Sequence, residues 1–363
     1  MQQSNYPFKT WPYEKQTEMK HLVFEDYFDK WVKILGKNRT LNYIDCYGGA
    51  GIYERNGELF PGSPIRAAQV IEKNQLSLAR DTRMVVIEKT KSTIDNLQKA
   101  FEYFKVGIKP IFIQEDFDVA VNKLLDSHPT IAPTFFLVDP FGFKVKLATI
   151  KRIMQVQKSE VLLNFMYDGI CRNLSVKEAK KSLTDLFGTE HWQDIDLCNP
   201  NKEHEIVSLF RQQLKTFCDY VYPYRVCRPD MQDRTYYYLF HLTNHHKGCS
   251  IMKSCFAKYN LGRLEFNDQI NTRMRNQATL FDPKEVTANT IGQLLLAKYK
   301  GVSKSYEDII KEFIDSTPFL ESDFIRTIKA LESAGKVQVL RNPDLTAKGH
   351  KRKSIYPKDS ISF

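Results

Sequence analysis

The segment Tyr43-Ile44-Asp45-Cys46-Tyr47-Gly48-Gly49-Ala50-Gly51-Ile52-Tyr53 runs from a short apolar stretch, through an acid, into a glycine-rich turn. Glycine admits positive φ and lets another group approach the backbone where a Cβ would stand in the way. A strand, a glycine turn and a helix in succession describe a ligand pocket at the carboxyl edge of a parallel sheet. A dinucleotide fingerprint, G-x-G-x-x-G, does not fit. Counted from Gly49 and Gly51, its third glycine falls on Glu54, whose carboxylate would face a pyrophosphate. What remains is D-x-aromatic-small-G-x-G, a compact loop suited to a ligand without phosphates.

The chain after this loop alternates short apolar runs with helical periodicity. A helix over 14–36 precedes the first strand, which spans about 41–46. Further strands are expected at 83–88, 109–114, 134–138 and 161–165, with helices at 92–104, 117–127 and 147–157 between them. Strands of four to six apolar residues between helices predict a parallel sheet covered on both faces. Several close on an acid or amide: Asp45, Glu88, Glu115-Asp116, Asp139 and Asn164. A row of such groups at one sheet edge beside a glycine loop marks the place where open α/β sheets bind ligands. Residues 172–219 read as a helical insertion, 236–242 as a strand and 247–259 as a helix.

Size and charge narrow the field. At 363 residues the chain has room for one large α/β domain and a smaller module. No apolar run reaches the roughly 20 residues that span a bilayer, so a cytoplasmic protein without membrane contact is expected. The seven cysteines are scattered and form no C-x-x-C pair, which points away from zinc and iron–sulfur sites, and no metal is expected. The net charge of +10 favours a polyanionic partner, nucleic acid of either kind.

The expected division is a domain over 1–260, a polar connector over 261–288 carrying Arg263, Arg273 and Arg275, and a small domain over 289–363. In that last part, helices at about 291–299, 305–315 and 321–334 lead to a strand at 336–340. A basic tip follows, Lys348-Gly349-His350-Lys351-Arg352-Lys353, and then Ser354-Ile355-Tyr356. Three helices and a hairpin resemble a winged helix, in which Lys348, Lys351, Arg352 and Lys353 would touch phosphate. Contact with protein is the other use of such a module.

Asp45 to Gly51 resembles motif I of the class I methyltransferases, which use S-adenosyl-L-methionine (SAM). Together with Phe60-Pro61-Gly62-Ser63-Pro64, Ile87-Glu88-Lys89 and Val138-Asp139-Pro140, it resembles the J-type ribosomal-RNA adenine-N6 methyltransferases. With Gly62-Ser63-Pro64 and Asp139-Pro140-Phe141-Gly142, the chain is similar to the three-Cys-motif partner (TcmP) family over about residues 15–260. The resemblance implies a Rossmann-like class I methyltransferase sheet with helices on both faces, plus a small winged-helix-like domain. It implies SAM as cofactor, held by Asp45, Tyr47, Gly48, Gly49 and Gly51, with Glu88 on the ribose and Asp116 on the adenine amine. Asp139, Pro140 and Phe141 would serve the acceptor base. It also implies a partner bearing a three-cysteine motif, in mobile or phage-defence loci.

One departure matters. Adenine-N6 methyltransferases carry Asp/Asn-Pro-Pro-aromatic, whose acid and backbone accept from the amine while the ring stacks on the flipped base. Here the tetrapeptide is Asp139-Pro140-Phe141-Gly142, so Phe141 or Phe143 must supply the stack, or the site serves another acceptor, or SAM is bound without transfer. Asn164 and Asp168 are further candidates for the same cleft. A nucleic-acid methyltransferase, an accessory binding platform, and a methyltransferase for protein or small molecules all stay open, the last disfavoured by charge.

Overall fold

The computed structural model describes residues 6–78, 81–128, 130–228, 233–268 and 283–363. Two compact units divide the chain, 1–272 and 273–363. Arg273 and Arg275 lie outside the described residues.

The first unit begins with strand β1 (Trp11–Pro12) and helix α1 (Lys15–Leu35), followed by β2 (Leu41–Asp45). A hairpin, β3 (Ile52–Arg55) and β4 (Glu58–Pro61), precedes α2 (Ser63–Asn74). Then come β5 (Thr82–Glu88), α3 (Lys91–Tyr103), β6 (Ile111–Gln114), α4 (Phe117–Ser127), β7 (Thr134–Val138), α5 (Leu147–Met154) and β8 (Glu160–Phe165). Helices α6 (Tyr167–Asn173), α7 (Lys180–Phe187) and α8 (Lys202–Lys215) lead to β9 (Tyr220–Cys227), β10 (Thr235–Thr243), α9 (His246–Tyr259) and β11 (Glu265–Phe266).

Eight strands form one sheet, ordered β6-β5-β2-β7-β8-β10-β9-β11. The first five are parallel, and β10 runs against both of its neighbours. The chain thus makes a Rossmann-like class I methyltransferase sheet: the strands radiate outward from β2 in both directions and the reversed β10 is inserted before β9. β7 shows why the central strands read as unbroken apolar runs. Phe135 and Leu137 pack under α1, α2, α3 and α9, whereas Phe136 and Val138 pack against α4 to α8. Around Phe135, the rings of Phe24, Tyr27, Phe28, Trp31 and Tyr43 gather from α1 and β2.

One expectation about this unit needs correction. The sheet takes Glu265–Phe266, paired in parallel with β9, from the stretch whose polarity suggested a connector. The segment between Gly51 and Glu88 holds a hairpin turning at Asn56-Gly57, both at positive φ, and then α2. Gly62 joins them, and its amide donates to the Gly51 carbonyl at 2.8 Å. A Cβ on Gly62 would lie 3.1 Å from the Gly51 backbone, so the Gly62-Ser63-Pro64 step brings α2 directly against the glycine loop.

The second unit contains α10 (Pro283–Lys298), β12 (Ser303–Ser305), α11 (Tyr306–Phe313), α12 (Glu321–Ser333), β13 (Gln338–Leu340) and β14 (Ser360–Ser362). Its antiparallel sheet is ordered β12-β14-β13, which with three helices gives a winged-helix-like arrangement around Leu295, Ile310, Phe324, Ile328 and Ile361. The return strand is Ser360–Ser362, not Ser354-Ile355-Tyr356, so the connecting loop is longer than the sequence suggests. Arg352 is also corrected. It is buried, paired with Asp359, and donates from Nε to the Pro343 carbonyl at 2.8 Å, so it is a strut inside the loop and not a phosphate contact. Lys348, Lys351 and Lys353 are exposed. No described helix is long and apolar enough to cross a membrane.

Candidate functional site

Sheet register brings the strand-end groups to one edge. Asp45 pairs with Val86 and Leu137, so Tyr47, Glu88 and Asp139 each follow by two residues at the same level. Val138 pairs with Leu163, which sets Asn164 beside Asp139. A cleft of about 330 Å³ opens there. Its walls include Tyr47, Gly48 and Gly49 from the loop, Asp139, Pro140 and Phe141 after β7, Asn164 near the end of β8 and Met166 just after it, and Tyr236 and Tyr237 of β10. The amino-terminal segment closes the remaining side with Trp11, Gln16 and Lys20. Burial pushes the Tyr47 phenol up, so it stays protonated at neutral pH.

Asp45 does not reach this cleft. It is fully buried beneath the loop, where Oδ2 accepts from the Tyr43 and Ser63 hydroxyls at 2.8 Å each and Oδ1 from the Tyr47 amide at 3.3 Å. Burial raises its carboxyl to about 6, against the lowering effect of the Ser63 and Tyr43 hydrogen bonds. Asp45 therefore shapes the loop from below.

The glycines have separate tasks. A Cβ on Gly48 would strike Val86 at 2.4 Å, and one on Gly51 would strike Leu97 at 2.0 Å, so both are forced by packing under the loop. Gly49, at φ +60°, faces the other way, toward the Trp11 ring 2.7 Å from where its Cβ would stand. Glu88 accepts from the Gly49 amide at 3.3 Å and the Thr90 amide at 2.9 Å, fastening the loop to the start of α3. Asp116 caps α4 through the Asp118 amide at 3.2 Å and lies 3.5 Å from Lys89. Glu88, Gly51 and Asp116 are at the same sheet edge but outside the cleft walls.

Two acids line the cleft, Glu14 from the amino-terminal segment and Asp139 at the sheet edge. Asn164 Nδ2 donates to Asp139 Oδ1 at 2.6 Å, and the Lys20 ammonium pairs with Asp139 Oδ2. Lys20 lies 119 positions away in sequence, on the α1 face that also buries Met19 and Val23. Its only sequence signal is a lysine beside an otherwise apolar stripe. Trp11 was equally hidden. Its ring meets Phe141 edge-on, centroids 4.8 Å apart at 85°, and Phe141 remains 76% exposed. A Cβ on Gly142 would meet nothing within 4 Å, so open space stands where the adenine-N6 pattern has an aromatic ring.

Asp168 is not part of the cleft. It is buried in the first turn of α6, where Arg228 donates at 3.0 Å and Arg234 at 2.9 Å. Burial alone would raise its carboxyl, but these guanidiniums hold it below the usual carboxylate range. Elsewhere, Cys227, Asp233 and Glu265 bring potential ligand atoms within 4.8 Å of one another. Arg225 lies among them, donating to Asp233 at 2.7 Å and standing 3.5 Å from Glu265, so a guanidinium already supplies the positive charge a metal would bring.

No family model matches the chain, and no curated protein matches it. Solved structures align with it at low identity. LPL1258 from Legionella pneumophila is 13% identical, with 68% of this chain and 93% of that one covered at a TM-score of 0.42. An rRNA methylase from Streptococcus thermophilus is 9% identical, covering 60% and 92% at 0.32. The O-methyltransferase TomG from Streptomyces achromogenes, solved in complex with SAM, is 11% identical, covering 65% and 92% at 0.36.

Proposed function

We propose that the chain is a SAM-dependent methyltransferase whose acceptor is an amine on a nucleic-acid base, adenine or another. The observation that carries this reading is Asp139, held between Lys20 and Asn164 on the wall of a cleft that also includes the glycine loop. The residues fit SAM in kind. Gly48 and Gly49 put bare backbone on that wall, with the Trp11 ring over Gly49, and Glu88 and Asp116 follow at the ends of the next two strands outward, in the order in which ribose and adenine would need acceptors. SAM, when bound, supplies an electrophilic methyl group, so no strong base is required and alignment is the main contribution of the protein.

The chain's own part is then to orient the acceptor. Asp139 would accept an N–H of the amine, with Lys20 and Asn164 fixing the carboxylate's direction. Phe141, exposed and braced by Trp11, would offer the stacking face. Lys348, Lys351 and Lys353 would add phosphate contacts from the second unit.

Calorimetry with S-adenosylhomocysteine should show binding, and labelled methyl should pass from SAM to RNA or DNA. Asp139→Ala should cut transfer about a hundredfold or more while leaving cofactor binding in place. Absence of S-adenosylhomocysteine binding would sink the proposal. A second reading, a non-catalytic partner of a three-cysteine-motif protein, is favoured by Trp11, whose ring stands over Gly49 and closes on Phe141. Binding without transfer to any nucleic acid would support it.

A further inference from the structure

Asp139 has a hydrogen bond on each oxygen, whereas its neighbour Asn164 is only half used. The carboxylate of Asp139 can only accept, so the Asn164 side chain must turn its NH₂ toward it, and this fixes which way the amide points. The same NH₂ lies 3.3 Å from Met166 Sδ. Oδ1 is left with no hydrogen-bond partner among the described residues, although Asn164 is only 6% exposed. A buried carbonyl oxygen without a donor is costly, and because this one has almost no accessible surface of its own, a donor, whether water or ligand, reaches it only when a neighbour in the cleft wall moves. Met166, which shares the cleft wall, has a flexible thioether able to shift from the amide.

We infer that Asn164 Oδ1 is a second acceptor for the substrate amine, and that with Asp139 it selects amino bases against keto bases. The inference rests on the reading that this cleft receives a nucleic-acid base. An exocyclic NH₂ presents two hydrogens in the plane of its ring, and two neighbouring acceptors match both. A keto oxygen in the same place would face two acceptors and leave each without a donor. Adenine and cytosine are therefore admitted, and hypoxanthine and uracil are rejected. Asn164 thus has two tasks: its NH₂ positions Asp139, and its carbonyl touches substrate.

The test is binding, read independently of transfer. Fluorescein-labelled 12-mers of A, I, C and U, on ribose and deoxyribose backbones, are titrated with the full chain in the presence of S-adenosylhomocysteine. The wild type should bind A over I, and C over U, by about tenfold or more on at least one backbone. Asp139→Ala should lower that ratio. Adding Asn164→Leu or Asn164→Thr in the Asp139→Ala background should bring it close to one. There, Asn164 has no carboxylate left to position, so a purely positioning role would leave the ratio unmoved. Equal binding of amino and keto 12-mers by the wild type overturns the inference. So does a ratio that the added Asn164 substitution does not change in a variant whose melting curve shows it folded. Loss of S-adenosylhomocysteine binding in Asn164→Leu with the ratio intact would assign the carbonyl to the cofactor and also overturn it. A selective ratio without methyl transfer would sink the transferase reading and leave the acceptor pair standing.

Discussion

Asp139 in the cleft and Asp359 in the second unit each accept from a long basic side chain, and they differ in what is left over. Asp359 is fully buried and saturated. Arg352 reaches both oxygens, the Asn342 amide donates to one at 3.0 Å and the Tyr356 amide to the other at 2.7 Å. Burial pushes its carboxyl up, but the guanidinium and the two amides outweigh this and hold it below the ordinary range. Asp139 has one bond per oxygen and an open cavity in front of it. The lesson is that an acid–base pair alone says little about function. The unfilled coordination around it does.

The largest effect should come from breaking the saturated pair. Arg352→Ala leaves Asp359 buried without its counter-charge, which is among the most damaging changes a core can suffer. Hydrogen exchange at the Asn342 and Tyr356 amides should accelerate strongly, whereas Lys351→Ala, a few ångströms along the same loop but exposed, should leave both slow. Similar protection in the two variants would erase the contrast drawn between Asp359 and Asp139.

Asp45 offers an intermediate case, sealed like Asp359 but without a cation. Its pKa is raised in the folded state, so its contribution to stability is fully present below its ordinary value near 3.8 and is lost as pH climbs through about 6. Between those limits the wild type should lose up to about 3 kcal/mol of unfolding free energy from this group. Asp45→Asn should lack that part of the pH dependence in chemical denaturation. Parallel curves for the two proteins would show that Asp45 keeps an ordinary pKa.

The smallest effect concerns the exposed lysines. Replacing Lys348, Lys351 and Lys353 with alanine should leave the melting temperature unchanged. If they touch phosphate, the slope of log K against log salt should become shallower by roughly 0.7–0.9 per lysine. An unchanged slope would remove the second unit from the nucleic-acid surface.

The sheet was legible because each central strand is an apolar run closing on an acid or amide, as at Thr134–Val138 before Asp139. The cleft was legible only on its strand side. Lys20 and Trp11 come to Asp139 and Phe141 through the tertiary path of the amino-terminal segment, and spacing along the chain carries no trace of that. Asn56-Gly57 did carry a hairpin signal. β9 was obscured by the helical pattern before it. Arg352 failed for another reason: within Lys348–Lys353 its charge looks like that of its neighbours, and only Asp359, seven residues on, decides that it turns inward.

Trp11 gives the molecule a built-in reporter. The chain has three tryptophans, and the other two, Trp31 and Trp192, are buried away from the cleft. Any molecule that settles on Gly49 must displace or press upon the Trp11 indole. Intrinsic emission should therefore register cleft occupancy directly in the unlabelled protein, with the other two indoles serving as an internal reference.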